Sequence, residues 1–599
     1  MNRLSKLFKF KTNKPKVDLI SKFEEFTKAK IDPNSLYFLP LGGTGEFGLN
    51  LNAYYCDGKW LIVDLGVSFD GTSSINVFMP KIDFLRSIPR ENILGIIVTH
   101  GHEDHVGAVQ YLWRFLRVPV YTTPFTASLL QRKIRDMRGK HEAELHVVKM
   151  REKVQLGPFL IQWASVTHSI PDNSMVLIRT QYGNILHTGD WRFDDSPVIG
   201  EKSDLDLLEA FGKEGVLAVV GDSTNAMTEG KFASEEDVKT SLEHIIKNIT
   251  TGRVVVVCFS TNLSRVDSCA RIGQKVGRRV ALVGRSLHRI KDVAIENGYL
   301  TGVPDFVTED MVKGINPDHV LIVCTGSQGE PHSALRRFAD NEHPKITLET
   351  GDTVIISARM ITGKEKDIND MINKLVKRGI KVITTKQDAD IHVSGHPPQD
   401  DLKRLYNIVK PRIGIPVHGE VRNLIAHRDL FRSIGVRSEF IENGDLMLLA
   451  PGQYKKIASV EFGQLGLDGK VLIPRSGTVL MERTWLGGGG CIFISIIIVN
   501  PDDYKFLVNM FGVSEHTEYR FRHSVEAKIE AIMKSIPHKS RLEQKRVISD
   551  IRNGLQGYIF MERGIDPKIF VHAFIEGSNN YIEVNPEDEE NIEEEFPED

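Results

Sequence analysis

Cysteine is scarce here. The chain of 599 residues carries five, Cys56, Cys258, Cys269, Cys324 and Cys491, scattered and without a C-x-x-C pair. That spacing excludes a disulfide frame and a zinc–thiolate cluster. Several of the five sit in apolar runs such as Val254-Val255-Val256-Val257-Cys258, so they read as reduced, buried thiols. Long hydrophobic runs are missing as well. No stretch of 18 apolar residues occurs, which argues against a membrane-spanning helix, and Cys491 to Val499 is short enough to read as a buried strand. The N-terminus is basic but broken by charges throughout, unlike a secretory signal. The expected location is the cytoplasm. Internal repeats are absent.

What is present is an ordinary globular balance, 41% hydrophobic and 26% charged, over a length that suggests three or four domains, each able to bury a core. The net charge of -3 is unevenly spread. Met1 to Lys30 holds nine Lys/Arg against three Asp/Glu, and Glu587 to Asp599 holds nine acids and no base. Both ends read as solvated segments. The body between them is mildly basic, which suits a polyanionic substrate.

After a polar leader, residues 1–34, an apolar run begins at Ser35 and leads into Gly42-Gly43-Thr44-Gly45-Glu46-Phe47-Gly48. A dinucleotide-binding loop needs a helix directly after its glycines. Here Leu49 to Tyr55 alternates apolar and polar, the mark of a strand, so the glycines read as a hairpin-like turn. Strand signals recur at Trp60–Leu65, Ile93–Thr99, Val118–Thr122, Phe159–Val166, Ser174–Thr180 and Gly183–Thr188, between helical stretches, which gives an α/β layered fold. A second alternating region begins near 222. Ser234 caps a helix, with Asp237 as its capping-box partner and Val238, Leu242, Ile245, Ile246 and Ile249 at helical spacing. Short Val/Ile-rich strands follow at Arg253–Phe259, Val280–Val283, His319–Cys324 and Thr353–Ser357, as in a parallel sheet, and then at Lys381–Thr385 and Ile413–Val417. The stretch from Tyr454 to about 500 reads as β-rich. Residues 501–577 read as one long polar helix and a final strand, Lys568–Ile575.

The chemistry concentrates after the apolar run Ile96-Ile97-Val98. His100, His102, Asp104 and His105 place four ligand-type side chains within six residues on the loop at a strand's C-terminal end. Imidazole nitrogen with carboxylate oxygen suits zinc or manganese. His168 and Asp190 each follow a strand on the same expected edge and fill out two coordination shells. Asp64 ends another strand there and suits orienting ligands or the bound water.

Val63-Asp64-Leu65-Gly66, Thr99-His100-Gly101-His102-Glu103-Asp104-His105, His168 and Gly189-Asp190 resemble the successive motifs of the metallo-β-lactamase superfamily. Gly221-Asp222-Ser223-Thr224-Asn225, His392-Val393-Ser394-Gly395-His396 and Pro416-Val417-His418-Gly419-Glu420 resemble those of the β-CASP nucleases. With Thr325-Gly326-Ser327-Gln328-Gly329-Glu330-Pro331, the set is similar to the bacterial ribonuclease J family over about 36–450, continuing more weakly to Glu562-Arg563-Gly564 and Phe574.

The resemblance implies an α/β fold: a metallo-β-lactamase αββα sandwich with an inserted β-CASP α/β domain and a small α+β C-terminal domain. On this chain the lactamase domain would fill 35–221 and 378–455, the insertion 222–377, linker and C-terminal domain 456–585, and an acidic tail 586–599. Carried over by position, His100, His102 and His168 hold one metal, Asp104, His105 and His418 the other, and Asp190 bridges them. Two divalent ions are implied, zinc foremost with manganese as the alternative. Such a pair, roughly 3.5–4 Å apart, lowers the pKa of a shared water and stabilises in-line displacement at phosphorus. Asp64, Asp104, Asp190, Asp222 and His396 form the implied catalytic set, with Asp222 orienting by hydrogen bond and His396 protonating the departing 3′-oxygen. His392, Ser394, Gly395 and His396 would line an RNA phosphate site between the domains, and Ser327 and Gln328 would meet a 5′-phosphate or nucleotide.

The implied activity is 5′-to-3′ exonuclease and endonuclease action on single-stranded RNA, with a 5′-monophosphate end preferred. Messenger RNA turnover and ribosomal RNA maturation are the implied roles, and homodimers or homotetramers and RNA-degradation partners the implied company. A hydrolase of small lactams or thioesters would share the metal cluster but leave the 222–385 block and His396 without use. A non-catalytic RNA-binding scaffold would not need every ligand position filled. The C-terminal domain reads as serving assembly or RNA placement.

Overall fold

The computed structural model describes residues 32–69, 74–137, 143–360, 364–515 and 518–576. The basic leader up to residue 31 and the acidic tail lie outside them. The chain divides into two compact units, with the break between Pro474 and Arg475.

The first unit is built on two facing sheets. One has eight strands, in the order Lys455–Ser459, Asp445–Ala450, Leu36–Gly42, Leu51–Cys56, Lys59–Val63, Ile93–Ile97, Val120–Thr122 and Leu145–Val147. The other has seven: Lys153–Leu156, Phe159–Ser165, Ser174–Thr180, Gly183–His187, Val216–Asp222, Ile413–Val417 and Arg437–Ser438. Phe38, Leu61 and Ile97 of the first interdigitate with Trp163, Ile178, Val220 and Ile415 of the second in one dry core. Each outer face is covered by helices. Val109, Leu112 and Leu116 pack on the eight-stranded sheet, and Leu208, Phe211, Leu402 and Phe431 on the other. This is the expected αββα sandwich.

Inserted between Val216–Asp222 and its parallel neighbour Ile413–Val417 lies a third, all-parallel sheet of five strands. Its order is Arg279–Val283, Val320–Cys324, Val254–Val257, Thr353–Ile356, Lys381–Ile383. Helices cover both faces, so its strands are continuous Val/Ile runs buried on both sides. The helix Glu235–Asn248 starts on a complete capping box: Asp237 N–H donates to Ser234 Oγ (3.0 Å), and Ser234 N–H donates to Asp237 Oδ2 (2.8 Å). Ser234→Ala is expected to lower stability by about 0.5–2 kcal/mol, read as an earlier urea midpoint. An unchanged midpoint would deny the cap that role.

Residues 456–474, read from sequence as the start of the linker and C-terminal domain, form strands that complete the sheets of the first unit. Lys455–Ser459 edges the eight-stranded sheet, and Gln464–Asp468 pairs with Val77–Pro80. The second unit has a three-stranded sheet, ordered Asp503–Phe511, Cys491–Asn500, Lys568–Ile575, over two helices, Tyr519–Ser535 and Gln544–Arg563. Three sequence expectations fail here. Residues 501–577 carry two helices rather than one, because the chain breaks at Ile536 and Pro537, a fixed-φ residue that the first helix cannot continue into. Cys491–Asn500 is not buried throughout: it alternates, with Ile492, Ile494, Ile496 and Ile498 in the core and Phe493 and Ile497 outward. The stretch read as β-rich contains the helix Thr478–Gly489. The cysteines carry free thiols, all but Cys491 buried. Among the described residues no helix is long and apolar enough to cross a membrane.

Candidate metal centre

Every expected ligand lies past the C-terminal end of a strand in the sandwich. Ile93–Ile97 leads to His100–His105, Phe159–Ser165 to His168, Gly183–His187 to Asp190 and Ile413–Val417 to His418. Parallel neighbours put these ends at one edge. Backbone conformation helps aim the groups: Asp64 (φ 64°) and His418 (φ 54°) are left-handed, an uncommon state for residues other than glycine that gathers at functional sites. Gly66 has no room for a Cβ, which would fall 1.6 Å from Asp104 O. That close approach lays the Asp64 turn directly on the metal loop.

Among the described residues three four-donor groups emerge: His100, His102, His168 and Asp190 on one side, Asp104, His105, Asp190 and His418 on the other, and a third, Asp190, Asp222, His396 and His418, that reuses Asp190 and His418. In the first, His102 Nδ1 lies 3.1 Å from His100 Nε2 and 3.0 Å from His168 Nε2, and Asp190 Oδ2 is 3.8 Å from both of those Nε2 atoms. In the second, Asp190 Oδ1 is 3.1 Å from His105 Nε2 and 3.5 Å from His418 Nε2, with Asp104 Oδ2 3.2 Å from His418 Nε2. Asp190 is buried and offers one oxygen to each of these two groups.

The tautomers follow from the outer partners. His168 Nδ1 donates to Gly395 O (2.7 Å) and His105 Nδ1 to Asp64 Oδ2 (2.7 Å). Thr99 Oγ1 gives its proton to Asp64 and so accepts from His100 Nδ1 (3.0 Å). Thr224 Oγ1 gives its proton to Asp222 Oδ1 (2.7 Å) and accepts from His418 Nδ1 (2.8 Å). The inward nitrogens then converge on one another and on a buried carboxylate. Imidazole nitrogen and carboxylate oxygen gathered this closely form a donor set that fits divalent ions.

The electrostatics agree. Burial and the neighbouring imidazoles hold His102 and His168 down to about 4 and about 3, so both are neutral and ready to ligate. Burial also opposes charge on His105 and His418, but there Asp190 and the other carboxylates outweigh it and push both pKa values well above the ordinary range. A field that favours a proton at that spot favours a divalent cation more.

Asp64 belongs to none of the donor groups. Its Oδ1 accepts Thr99 N–H (2.8 Å) and its Oδ2 orients His105. Asp222 accepts His396 Nδ1 at Oδ2 (2.8 Å), as an orienting carboxylate would. His396 stacks on His418 (5.5 Å) and has 21% of its side chain exposed. Burial disfavours its charge, yet Asp222 and Asp190 raise its pKa above the usual value.

The phosphate candidates divide. Ser394 Oγ accepts Asn225 Nδ2 (2.8 Å) beside His396. Gly395 spends its carbonyl on His168, and a Cβ there would fall 2.6 Å from His168 Nδ1, so the close approach to His168 requires glycine. Ser327 Oγ is buried without a hydrogen-bond partner, and so is His392 Nδ1. Gln328 Nε2 donates to Arg359 O (2.8 Å). Burial and then the charges of Arg265, Arg359 and Arg192 hold His392 down to about 3, although Arg265 and Arg192 are themselves paired with Glu235 (3.1 Å) and Asp194 (2.6 Å). Sequence reasoning missed those arginines, along with Thr99, Thr224 and Asn50, whose Nδ2 lies 3.1 Å from His105 Nε2. Thr99 and Thr224 stood inside motifs already noted. The arginines carried no local signal.

Comparison with known proteins adds a second line. The model "Ribonuclease J, beta-CASP domain" matches residues 251–375, the metallo-beta-lactamase superfamily 49–246, and "Zn-dependent metallo-hydrolase RNA specificity domain" 387–440. Ribonuclease J of Sinorhizobium meliloti is 40% identical over 476 residues, 78% of this chain and 84% of that protein. Ribonuclease J of Helicobacter pylori strain 26695 is 32% identical over 554 residues (90% and 79%). That of Thermus thermophilus is 33% identical over 552 residues (90% and 95%).

Proposed function

This chain belongs to the ribonuclease J family and is a metal-dependent ribonuclease, and on that premise we propose that it removes nucleotides from 5′-monophosphorylated RNA ends and also cuts internally. The observation that carries the reading is Asp190, buried and shared between donor groups that could each hold a cation. Two divalent ions bound there, zinc or manganese, would supply an activated water and charge stabilisation at phosphorus. The protein's own groups do the rest. Asp64, Thr99 and Thr224 hold His105, His100 and His418 in the ligating tautomer. Asp222 holds Nδ1 of His396, leaving Nε2 to hand a proton to the departing 3′-oxygen. Water adds to phosphorus and the P–O3′ bond breaks, so each cut leaves a new 5′-monophosphate on the remaining RNA.

Ser327 Oγ and His392 Nδ1, buried and still unpartnered, support a 5′-phosphate seat within the field of Arg265, Arg359 and Arg192. Ser394 supports a second contact next to His396. Messenger RNA turnover and ribosomal RNA maturation in the cytoplasm, by a dimer or tetramer working beside other RNA-degrading proteins, complete the reading. The test is one uniformly labelled RNA carrying a 5′-monophosphate or a 5′-triphosphate. Mononucleotide release is expected from the first, at least about tenfold faster than from the second. Equal cutting of both at internal sites alone would remove the exonuclease part. A metal-loaded protein inert on RNA would point to a small-substrate hydrolase.

A further inference from the structure

The glycine loop Gly42–Gly48 leads into the strand Leu51–Cys56 and not into the helix a dinucleotide fingerprint needs, and the reaction described above gives it no task. The structure makes it a wall of the metal centre. Thr44 and Gly45 pair with Gly419 and Glu420, directly after His418. His418 N–H donates to Gly43 O (2.8 Å), and Thr44 N–H donates to Asn443 Oδ1 (3.0 Å). Glu46 clamps the tip, accepting Asn443 Nδ2 at Oε1 (2.8 Å) and Gln464 Nε2 at Oε2 (2.6 Å). The same loop delivers Asn50 to His105. Gly43 (φ 81°) is required, since a Cβ there would lie 2.3 Å from Asn50 Oδ1.

On this fastened loop stands one large apolar side chain, Phe47, 40% exposed. Its ring lies 6.3 Å from the His418 ring, edge-on, and His418 stacks in turn on His396. A rigid, partly bare aromatic ring beside the reacting groups of a ribonuclease has a natural occupant. Every RNA base has a π-face, and stacking on an aromatic ring is indifferent to sequence. Such a ring would fix a base next to the scissile phosphate and so limit how the phosphate can swing in the metal centre.

We infer that Phe47 is a substrate-binding residue that stacks on the base of a nucleotide flanking the scissile phosphate. The inference rests on the ribonuclease reading, and the test separates the two. Single-turnover kcat/KM is measured for the wild type, Phe47→Ala, Phe47→Leu and Phe47→Trp. The substrates are a 5′-monophosphorylated RNA and copies with an abasic nucleotide placed on either side of the first scissile phosphate. Phe47→Ala and Phe47→Leu are expected to lose about 5- to 100-fold on intact RNA, with metal content unchanged and Phe47→Trp close to wild type. One abasic position is expected to slow the wild type by the same factor and to add no further loss in Phe47→Ala. Leucine keeps the bulk without the π-face, so it stands in if the alanine variant misfolds. Equal losses on intact and abasic RNA would overturn the inference, as would no loss at all or a loss of metal. A wild type inert on every RNA would instead sink the ribonuclease reading.

Discussion

Asp190→Ala is expected to empty both metal positions and to lower RNA cleavage by at least about a thousandfold. A metal pair contributes several kcal/mol of transition-state stabilisation, and each 1.36 kcal/mol is a factor of ten. Asp190 is the shared member of the first two donor groups, with Oδ2 3.8 Å from His100 Nε2 and Oδ1 3.1 Å from His105 Nε2. Removing it leaves three imidazoles on one side, and two imidazoles with Asp104 on the other, without the charge that offsets the cations. The fold is expected to survive, because the backbone at 190 is held separately. Asn173 Nδ2 donates to Asp190 O (2.6 Å), and Gly189 supplies the left-handed turn. Elemental analysis of the purified variant and its single-turnover rate check this. His102→Ala is the narrower companion, removing one donor from the first group only and still abolishing cleavage. A metal-replete Asp190 variant with more than a tenth of wild-type activity would show that Asp190 is not the bridge.

His396→Ala is expected to slow kcat by about 10²- to 10⁴-fold, the range of a general acid, while both ions stay bound. His396 is absent from the groups centred on His100 and His105 and falls only in the third, with Asp190, Asp222 and His418. Its Nδ1 is engaged by Asp222 (2.8 Å). Loss of the ring therefore removes a proton donor and leaves the metal ligands' own partners, Thr224 on His418 and Gly395 on His168, in place. A substrate whose leaving 3′-oxygen is replaced by sulfur departs without a proton. It is expected to be cut by His396→Ala at close to the wild-type rate. Loss of metal from the variant would make His396 a ligand instead, and failure of the sulfur substrate to rescue it would remove the acid role.

Legibility in the sequence followed distance along the chain. His100, His102, Asp104 and His105 share one loop after one apolar strand, so strand periodicity and ligand chemistry were enough. His168 and Asp190 came from the same rule applied to later strands. His418 did not: its strand joins the sheet beside Val216–Asp222 only after the whole five-stranded insertion, a pairing that no local pattern announces. Its assignment leaned on family likeness. The tautomer-fixing hydroxyls of Thr99 and Thr224 were invisible in role, because a threonine becomes a relay only when tertiary structure sets an aspartate and a histidine on either side of it. The arginines around His392 come from three separate segments and meet only in the fold. The C-terminal errors have a plain cause too. Outward-facing Phe493, Ile497 and Val499 filled the polar half of an alternating strand with apolar residues, and the period of two disappeared.

The measurement closest to the central claim is a metal titration of chelator-stripped protein, following bound ions per chain and RNA cleavage together. Two pockets sharing Asp190 predict uptake of two equivalents of Zn²⁺ or Mn²⁺, with cleavage rising only as the second is bound. Full cleavage at one equivalent, or any cleavage from metal-free protein, would contradict it.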